Sequence, residues 1–269
     1  MRWRSTAVTG LGALVSMVIA APPELPRRAS FARESYPTVE ITYGTLPVEG
    51  GTRLRTLVTR PSGVQGRLPA VLFVQWLSCD SIELDPAARD GWSLMLRRMI
   101  TDSGALVWRT EKSGVGDSDG PACAALDYDT ELAQHRAAYA ALRQRPDVDP
   151  DRIVLFGASM GSTMVPLLAR EHAPRAILTW GGGARSWLER QIAFDARTVD
   201  FAPATPSSPP QARAALRAAQ LEFELQYLMG RRVPAAIVAE HPSLALAAHT
   251  IAGLEVGHHY GRPYSFHWQ

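Results

Sequence analysis

At 269 residues the chain has room for one large domain, or for a core with an inserted subdomain. Its 46% hydrophobic and 20% charged content describes an ordinary globular protein. A net charge of +2, with arginines scattered among acidic residues and no basic stripe interleaved with aromatics, argues against a nucleic-acid partner.

Residues 1–21 stand apart. A basic start, Met1 to Arg4, precedes an apolar run from Thr6 to Ala20, and Val18-Ile19-Ala20 fits a small-residue cleavage pattern ahead of Pro22 and Pro23. The run is short for a membrane span, so it reads as an export signal, with an uncleaved anchor as the alternative. A secreted or periplasmic chain starting near Ala21, with no stable membrane span, is the expectation. Cys79 and Cys123 suit that compartment, either as one disulfide or as two buried free thiols.

Residues 22–36, with three prolines, read as an exposed lead-in. Alternating residues 39–43 and a second run, 54–58, flank the turn signal Gly50-Gly51 and predict an antiparallel hairpin. The continuous apolar run 69–75 predicts a strand covered on both faces, followed by a loop, 76–82, and a helix over 92–100. A strand over 105–108 leads into the Gly-rich loop 109–120. That loop lacks the third glycine of a dinucleotide site and any Gly-Lys-Ser/Thr ending, so no nucleotide cofactor is expected. Leu132, His135, Tyr139 and Leu142 mark one helix face, capped by Asp127 or Asp129, with His135 packed on it.

Ile153 to Phe156 then form a short apolar strand running into Gly157-Ala158-Ser159-Met160-Gly161. A strand reversing sharply into a helix holds its apex residue in strained geometry and needs small neighbours two positions either side. Gly157 and Gly161 meet that need, which makes Ser159 a candidate nucleophile and the Met160 N–H a candidate oxyanion donor. The alternative is a Gly/Ser-rich turn with no chemistry. Pro166 lies in the following helix, and residues 176–180 predict a sixth strand. Strand alternating with helix implies an α/β fold, a mostly parallel sheet with helices on both faces, with Ser159 at its carboxyl edge. The loops carrying Cys79 and Cys123 would share that edge, so a bridge between them is expected.

The remainder, residues 186–269, reads as a helical cap after an N-terminal core of 22–185. It has helices near 187–193 and 216–227, a Pro/Ser linker at 202–210, and a helix favoured after Pro234. His258 and His259 lack partners at ligand spacing, so no metal site is expected.

Residues 71–75, the loop 114–120 and the pentapeptide 157–161 together resemble the α/β-hydrolase superfamily. More narrowly, the chain is similar to its exported bacterial branch of serine aminopeptidases and dipeptidyl-peptidase-like esterases. The narrower likeness rests on cysteines flanking the active-site edge and a cap ending like 260–266. The resemblance implies a serine hydrolase of ester or peptide (amide) bonds, with a small-molecule or peptide substrate and an acyl-enzyme on Ser159. Met160 and the loop at Trp76 and Leu77 would supply the oxyanion donors. The family usually has glycine where this chain has Trp76, which puts the shape of that hole in question.

The family order is nucleophile, acid after a seventh strand, histidine after an eighth. By that comparison the chain stops before its acid and base, and a non-catalytic pseudo-hydrolase that binds a ligand or partner is the competing reading. An internal triad needs residues 235–239 to be the seventh strand, with Glu240 as acid and His258 or His259 as base. The competing reading of the two histidines is a polar turn in the cap.

Overall fold

The computed structural model describes residues 24–182, 185–201 and 209–268. The export-signal expectation for residues 1–21 and nearly all of the Pro/Ser linker lie outside them. Strands β1 (Val39–Pro47) and β2 (Arg53–Pro61) form the predicted hairpin. Then follow β3 (Leu68–Val74), α1 (Gly91–Asp102), β4 (Leu106–Thr110), α2 (Tyr128–Arg143), β5 (Val148–Ala158), α3 (Gly161–Glu171) and β6 (Ala176–Trp180). The sheet order is β1-β2-β4-β3-β5-β6, parallel from β4 to β6 and antiparallel at β1 and β2.

Strand periodicity of two sorts the core into two layers. Leu72, Val74 and Leu155 face α2 and α3, where Leu132, Leu142 and Leu168 meet them. Phe73, Val107 and Phe156 face the other way, onto Leu96 and Ile100 of α1. Leu72 and Leu155 are completely buried, and truncating either to alanine would cost about 2–5 kcal/mol. Asp90 caps α1 by accepting from the Trp92 and Ser93 amides, both at 3.0 Å. Of the two candidate caps for α2, Asp127 is the one used, accepting from Thr130 N–H at 2.7 Å.

Beyond the sheet the chain is mainly helical: α4 (Trp187–Phe201), α5 (Pro210–Glu224), a π turn (Leu225–Met229), α6 (Pro234–Glu240) and α7 (Ala245–Thr250). A small antiparallel sheet follows, β7 (Leu254–Glu255), β8 (His258–His259) and β9 (Arg262–Pro263). Phe223, Tyr227, Ile237 and Ile251 form the centre of this cap. Among the described residues no helix is long and apolar enough to cross a membrane.

The favoured helix after Pro234 is present, the strand alternative there falls, and one expectation, the exposed lead-in, needs correction. Residues 235–239 are helical, because Pro234 occupies the first turn and an alanine-rich segment follows it. They are therefore not a seventh strand. The lead-in is pinned rather than simply exposed. Glu34 and Arg109 form a fully buried two-point ion pair at 2.8 and 2.9 Å, and Arg28 N–H donates to Asp117 at 2.6 Å. Such pairing leaves no periodic trace in the sequence.

Candidate functional site

The turn after β5 passes through Ser159 and Met160 into α3. Ser159 has φ of 52°, the left-handed region that costs a non-glycine residue about 1–3 kcal/mol unless its surroundings over-determine it. They do so here. Its N–H donates to the Trp180 carbonyl at 2.7 Å, and its own carbonyl accepts from Ser162 N–H and from Arg190 Nη1, both at 3.0 Å. A Cβ on Gly157 would lie 2.4 Å from the Gly161 carbonyl oxygen, and one on Gly161 would lie 2.2 Å from that of Val74. Only glycine at both positions lets the start of α3 press against the ends of β3 and β5.

Ser159 opens on two cavities. One, of about 670 Å³, is bounded by Trp76, Leu77, Trp187, Arg190 and Tyr260. The other, of about 510 Å³, is bounded by Trp76, Trp92, Trp180 and the carboxylate-bearing residues Asp80, Glu83 and Asp90. The Trp76 ring lines both. It packs on Phe73 and Trp92, with ring centroids 5.9 and 4.7 Å away, and Trp92 in turn meets Trp180 at 4.4 Å.

The backbone at Trp76 and Leu77 is held from behind by a buried cation. The carbonyl oxygens of Trp76, Leu77 and Ser78 accept from Lys112 Nζ at 2.5, 3.2 and 3.1 Å. In a trans peptide the next N–H points opposite to the C=O. The Leu77 and Ser78 amides therefore point away from Lys112.

Glu131 neutralises Lys112 at 3.0 Å and also pairs with Arg262, whose Nε donates to the Leu77 carbonyl at 3.2 Å. All three side chains are fully buried. Burial pulls the Lys112 ammonium down to about 8 against the attraction of Glu131. Burial likewise pushes Glu111 up to about 7, while bonds from the Ser81 hydroxyl and the Ile82 amide oppose the rise. A disulfide between Cys79 and Cys123, with Cα atoms 5.7 Å apart, closes the same loop.

The structure does not bring Glu240, His258 or His259 to Ser159. The Ser159 hydroxyl has no hydrogen-bond partner among the described residues. Glu240 ends α6 and pairs with Arg232 at 2.5 Å near the surface. His258 faces Glu255 at 3.7 Å. His259 is buried, with Tyr227 Oη 3.1 Å from its Nδ1 and the Ala252 carbonyl 3.0 Å from its Nε2. None of the three lines either cavity at Ser159. The internal triad, offered as an alternative, falls with the strand it required. Burial lowers His259 to about 4 and His267 to about 3, so both stay neutral at pH 7.

Sequence reasoning missed the arginines of the cap. Arg190 is half-buried, and its Nη1 and Nη2 donate to the Ser159 and Gly181 carbonyls, the latter at 2.6 Å. Its guanidinium carbon lies 5.4 Å from the centre of the Trp187 ring. Burial pulls its value below the ordinary 12.5, with no carboxylate opposing the shift. The readable signal is helical spacing: Trp187, Arg190, Gln191, Phe194 and Arg197 recur at three- and four-residue intervals, and all line the larger cavity.

Behind that face Asp195 and Glu224 are buried together, with Gln191 Nε2 2.6 Å from one Asp195 oxygen and the Ala252 amide 3.0 Å from the other. Burial and the neighbouring Asp195 push Glu224 up to about 9. Among the described residues no three or more His, Cys, Asp or Glu side chains gather as a metal-ligand set.

No protein-family model matches the chain, and no curated protein matches it. Among solved structures it is similar to a hypothetical protein from Pseudomonas aeruginosa (16% identity, TM-score 0.49, 76% of this chain and 59% of that one). It is also similar to the α/β hydrolase GrgF from Penicillium sp. sh18 (16%, TM-score 0.42, 52% and 45%). A third is a lidless α/β serine hydrolase from Xanthomonas campestris (24%, TM-score 0.40, 58% and 66%). The chain spans about half to two thirds of those proteins' length. The architecture expected from the resemblance is present in the structure. A mostly parallel sheet has helices on both faces, and a strained serine elbow stands where a parallel strand meets the next helix.

Proposed function

We propose that the chain carries the nucleophile and oxyanion machinery of an exported serine hydrolase that cleaves ester or peptide (amide) bonds through an acyl-enzyme on Ser159. The observation that carries this reading is Ser159 at φ of 52°, its backbone groups held by two backbone bonds and one from the Arg190 side chain, facing a cavity beside the helix start. In the proposed reaction the Ser159 oxygen attacks the carbonyl carbon while its proton passes to a base. The Met160 N–H and an amide of the 76–78 loop receive the developing oxyanion. The leaving alcohol or amine departs protonated, and water then releases the acid. Export is supported by the basic and apolar pattern of residues 1–20 and by the disulfide.

The base is the component that the described residues do not supply to Ser159. The resemblance would assign acid and base to two strands following β6, whose outer edge has no strand partner among the described residues. Ile177, Leu178 and Trp180 of β6 are 41%, 55% and 54% exposed. Without a base the serine keeps its proton at neutral pH, and loss of a triad member costs several orders of magnitude in rate.

Imidazole added from solution can stand in for the base, and this gives the test. Hydrolysis of p-nitrophenyl acetate by the full chain should rise with imidazole above the level given by Ser159→Ala. A fluorophosphonate probe should label Ser159 slowly without imidazole and faster with it. Imidazole-dependent rates equal in the parent and Ser159→Ala would overturn the nucleophile assignment. Rapid labelling without imidazole would show that a base is present after all.

A second reading, a pseudo-hydrolase that binds a ligand or partner, is favoured by the cavity at Ser159 with Trp76 on its wall and no base beside Ser159 among the described residues. Ligand binding with no Ser159 chemistry in either assay would select it.

A further inference from the structure

Charge divides the two cavities at Ser159. The larger carries Arg185, Arg190 and Arg197 and no carboxylate, while the smaller carries Asp80, Glu83 and Asp90 and no cation. The carboxylates are mostly occupied: Glu83 by Arg27 and Tyr43, Asp90 by the start of α1, Asp80 by Ser78. Among the described residues none of the three arginines forms a close ion pair with an acid, although the Ser186 hydrogen bonds, helped by the charge of Arg185, hold the Glu189 carboxyl below its ordinary value.

Arg190 is the fixed member. Two backbone carbonyls and the Trp187 ring set its plane, leaving further N–H donors for a ligand. Arg185 and Arg197 are exposed at the rim of the same cavity. Between them stand Trp187, Phe194 and Tyr260, which supply apolar and aromatic walls. A planar guanidinium with spare parallel donors matches a carboxylate, and low-dielectric walls strengthen that attraction.

The geometry points to an anion subsite on the cap side of Ser159, formed by Arg190 with Arg185 and Arg197, that selects ester or amide substrates bearing a carboxylate on a short apolar or aryl arm. The substrate reading rests on Ser159 as nucleophile, whereas the subsite itself does not. Asp80 and Asp90, which are hydrogen-bonded but not paired with a cation among the described residues, would repel a second anion, so the group on the other side of the scissile bond is neutral or cationic.

The test uses the full chain and two uncleavable probes of equal shape, 4-phenylbutyrate and 4-phenylbutyramide, followed by calorimetry or tryptophan fluorescence at pH 7. The carboxylate should bind at least about tenfold more tightly, with the advantage shrinking as salt is raised. Arg190→Gln, and separately the exposed pair Arg185→Gln with Arg197→Gln, should each reduce that advantage to less than about threefold. Arg190→Lys should keep part of it. Circular dichroism of the double variant guards against loss of fold, since neither rim arginine supports the elbow.

Equal affinity for the two probes, binding of neither, or a preference untouched by all the arginine variants would overturn the subsite. Carboxylate binding with no chemistry at Ser159 would leave the subsite standing and remove the hydrolase reading. Imidazole-dependent labelling of Ser159 with no carboxylate preference would do the reverse.

Discussion

Lys112 Nζ lies 2.5 Å from the Trp76 carbonyl oxygen and 3.0 Å from Glu131 Oε1, so a buried ammonium ties the loop beside Ser159 to helix α2. Replacing Lys112 with methionine leaves the Glu131–Arg262 pair in place but strips the Trp76 and Ser78 carbonyls of their donor, Leu77 keeping the one from Arg262. Lys112→Met should lower unfolding free energy by about 2–4 kcal/mol in urea melts and slow imidazole-assisted labelling of Ser159. Glu131→Gln, which leaves two buried cations without a counter-charge, should be worse. If Lys112→Met labels at the parental rate, the loop does not depend on this anchor.

The Cys79–Cys123 bridge closes a span of 44 residues on the same loop. Its loss through Cys79→Ser with Cys123→Ser should cost roughly 2–4 kcal/mol, read as a lower urea midpoint. Limited proteolysis should then cut first within residues 76–84. An unchanged midpoint would mean that the buried ion cluster alone holds the loop.

Cap stability should fall on both sides of neutrality, through different groups. Glu224 is raised from its ordinary 4.5 to about 9, so its contribution is complete below about pH 4.5 and is lost as pH rises through about 9. Asp195 is shifted in the same direction by burial. His259 and His267 are lowered from 6.5 to about 4 and about 3, so their contribution is complete above pH 6.5 and is lost as pH falls through those values. Glu224→Gln should flatten the alkaline limb of a thermal-melt profile and leave the acid limb unchanged. A parallel drop on both limbs would refute this division.

Gly161→Ala should destabilise by about 1–3 kcal/mol, because its methyl would meet the Val74 carbonyl oxygen at 2.2 Å. It should also slow chemistry at Ser159, since relieving the clash moves α3 away from β3. Normal stability with normal labelling would show that the elbow does not require this close approach.

The outer face of β6 should promote self-association. Leu178 and Trp180 are more than half exposed on a strand whose far edge has no partner among the described residues. Leu178→Lys with Trp180→Lys should shift light scattering toward a monomer at micromolar concentration. Unchanged scattering would remove this edge as the cause of any association.

The core and the elbow were legible in the sequence because continuous apolar runs and paired glycines are local signals. Leu72, Leu155, Gly157 and Gly161 each announce their role within a few residues. The ion cluster was not legible: Lys112, Glu131 and Arg262 come from three distant segments, and buried charge looks like surface charge until the chain is folded. The pinned lead-in at Glu34 escaped for the same reason. The i, i+3, i+4, i+7 pattern through Arg190 and Arg197 was readable, but a cationic helix face ordinarily means solvent. Pro234 correctly favoured a helix, and on that point the strand needed for Glu240 as acid failed.

Arg262 bonds the Leu77 carbonyl across 185 positions of sequence. Leu77 precedes Arg262 by most of the sequence, so the loop beside Ser159 depends on a distant segment for this contact. Closing so long a loop is entropically slow and exposes half-built intermediates to aggregation. The loop at Trp76 to Ser78 therefore gains this anchor only when the cap has packed against the core.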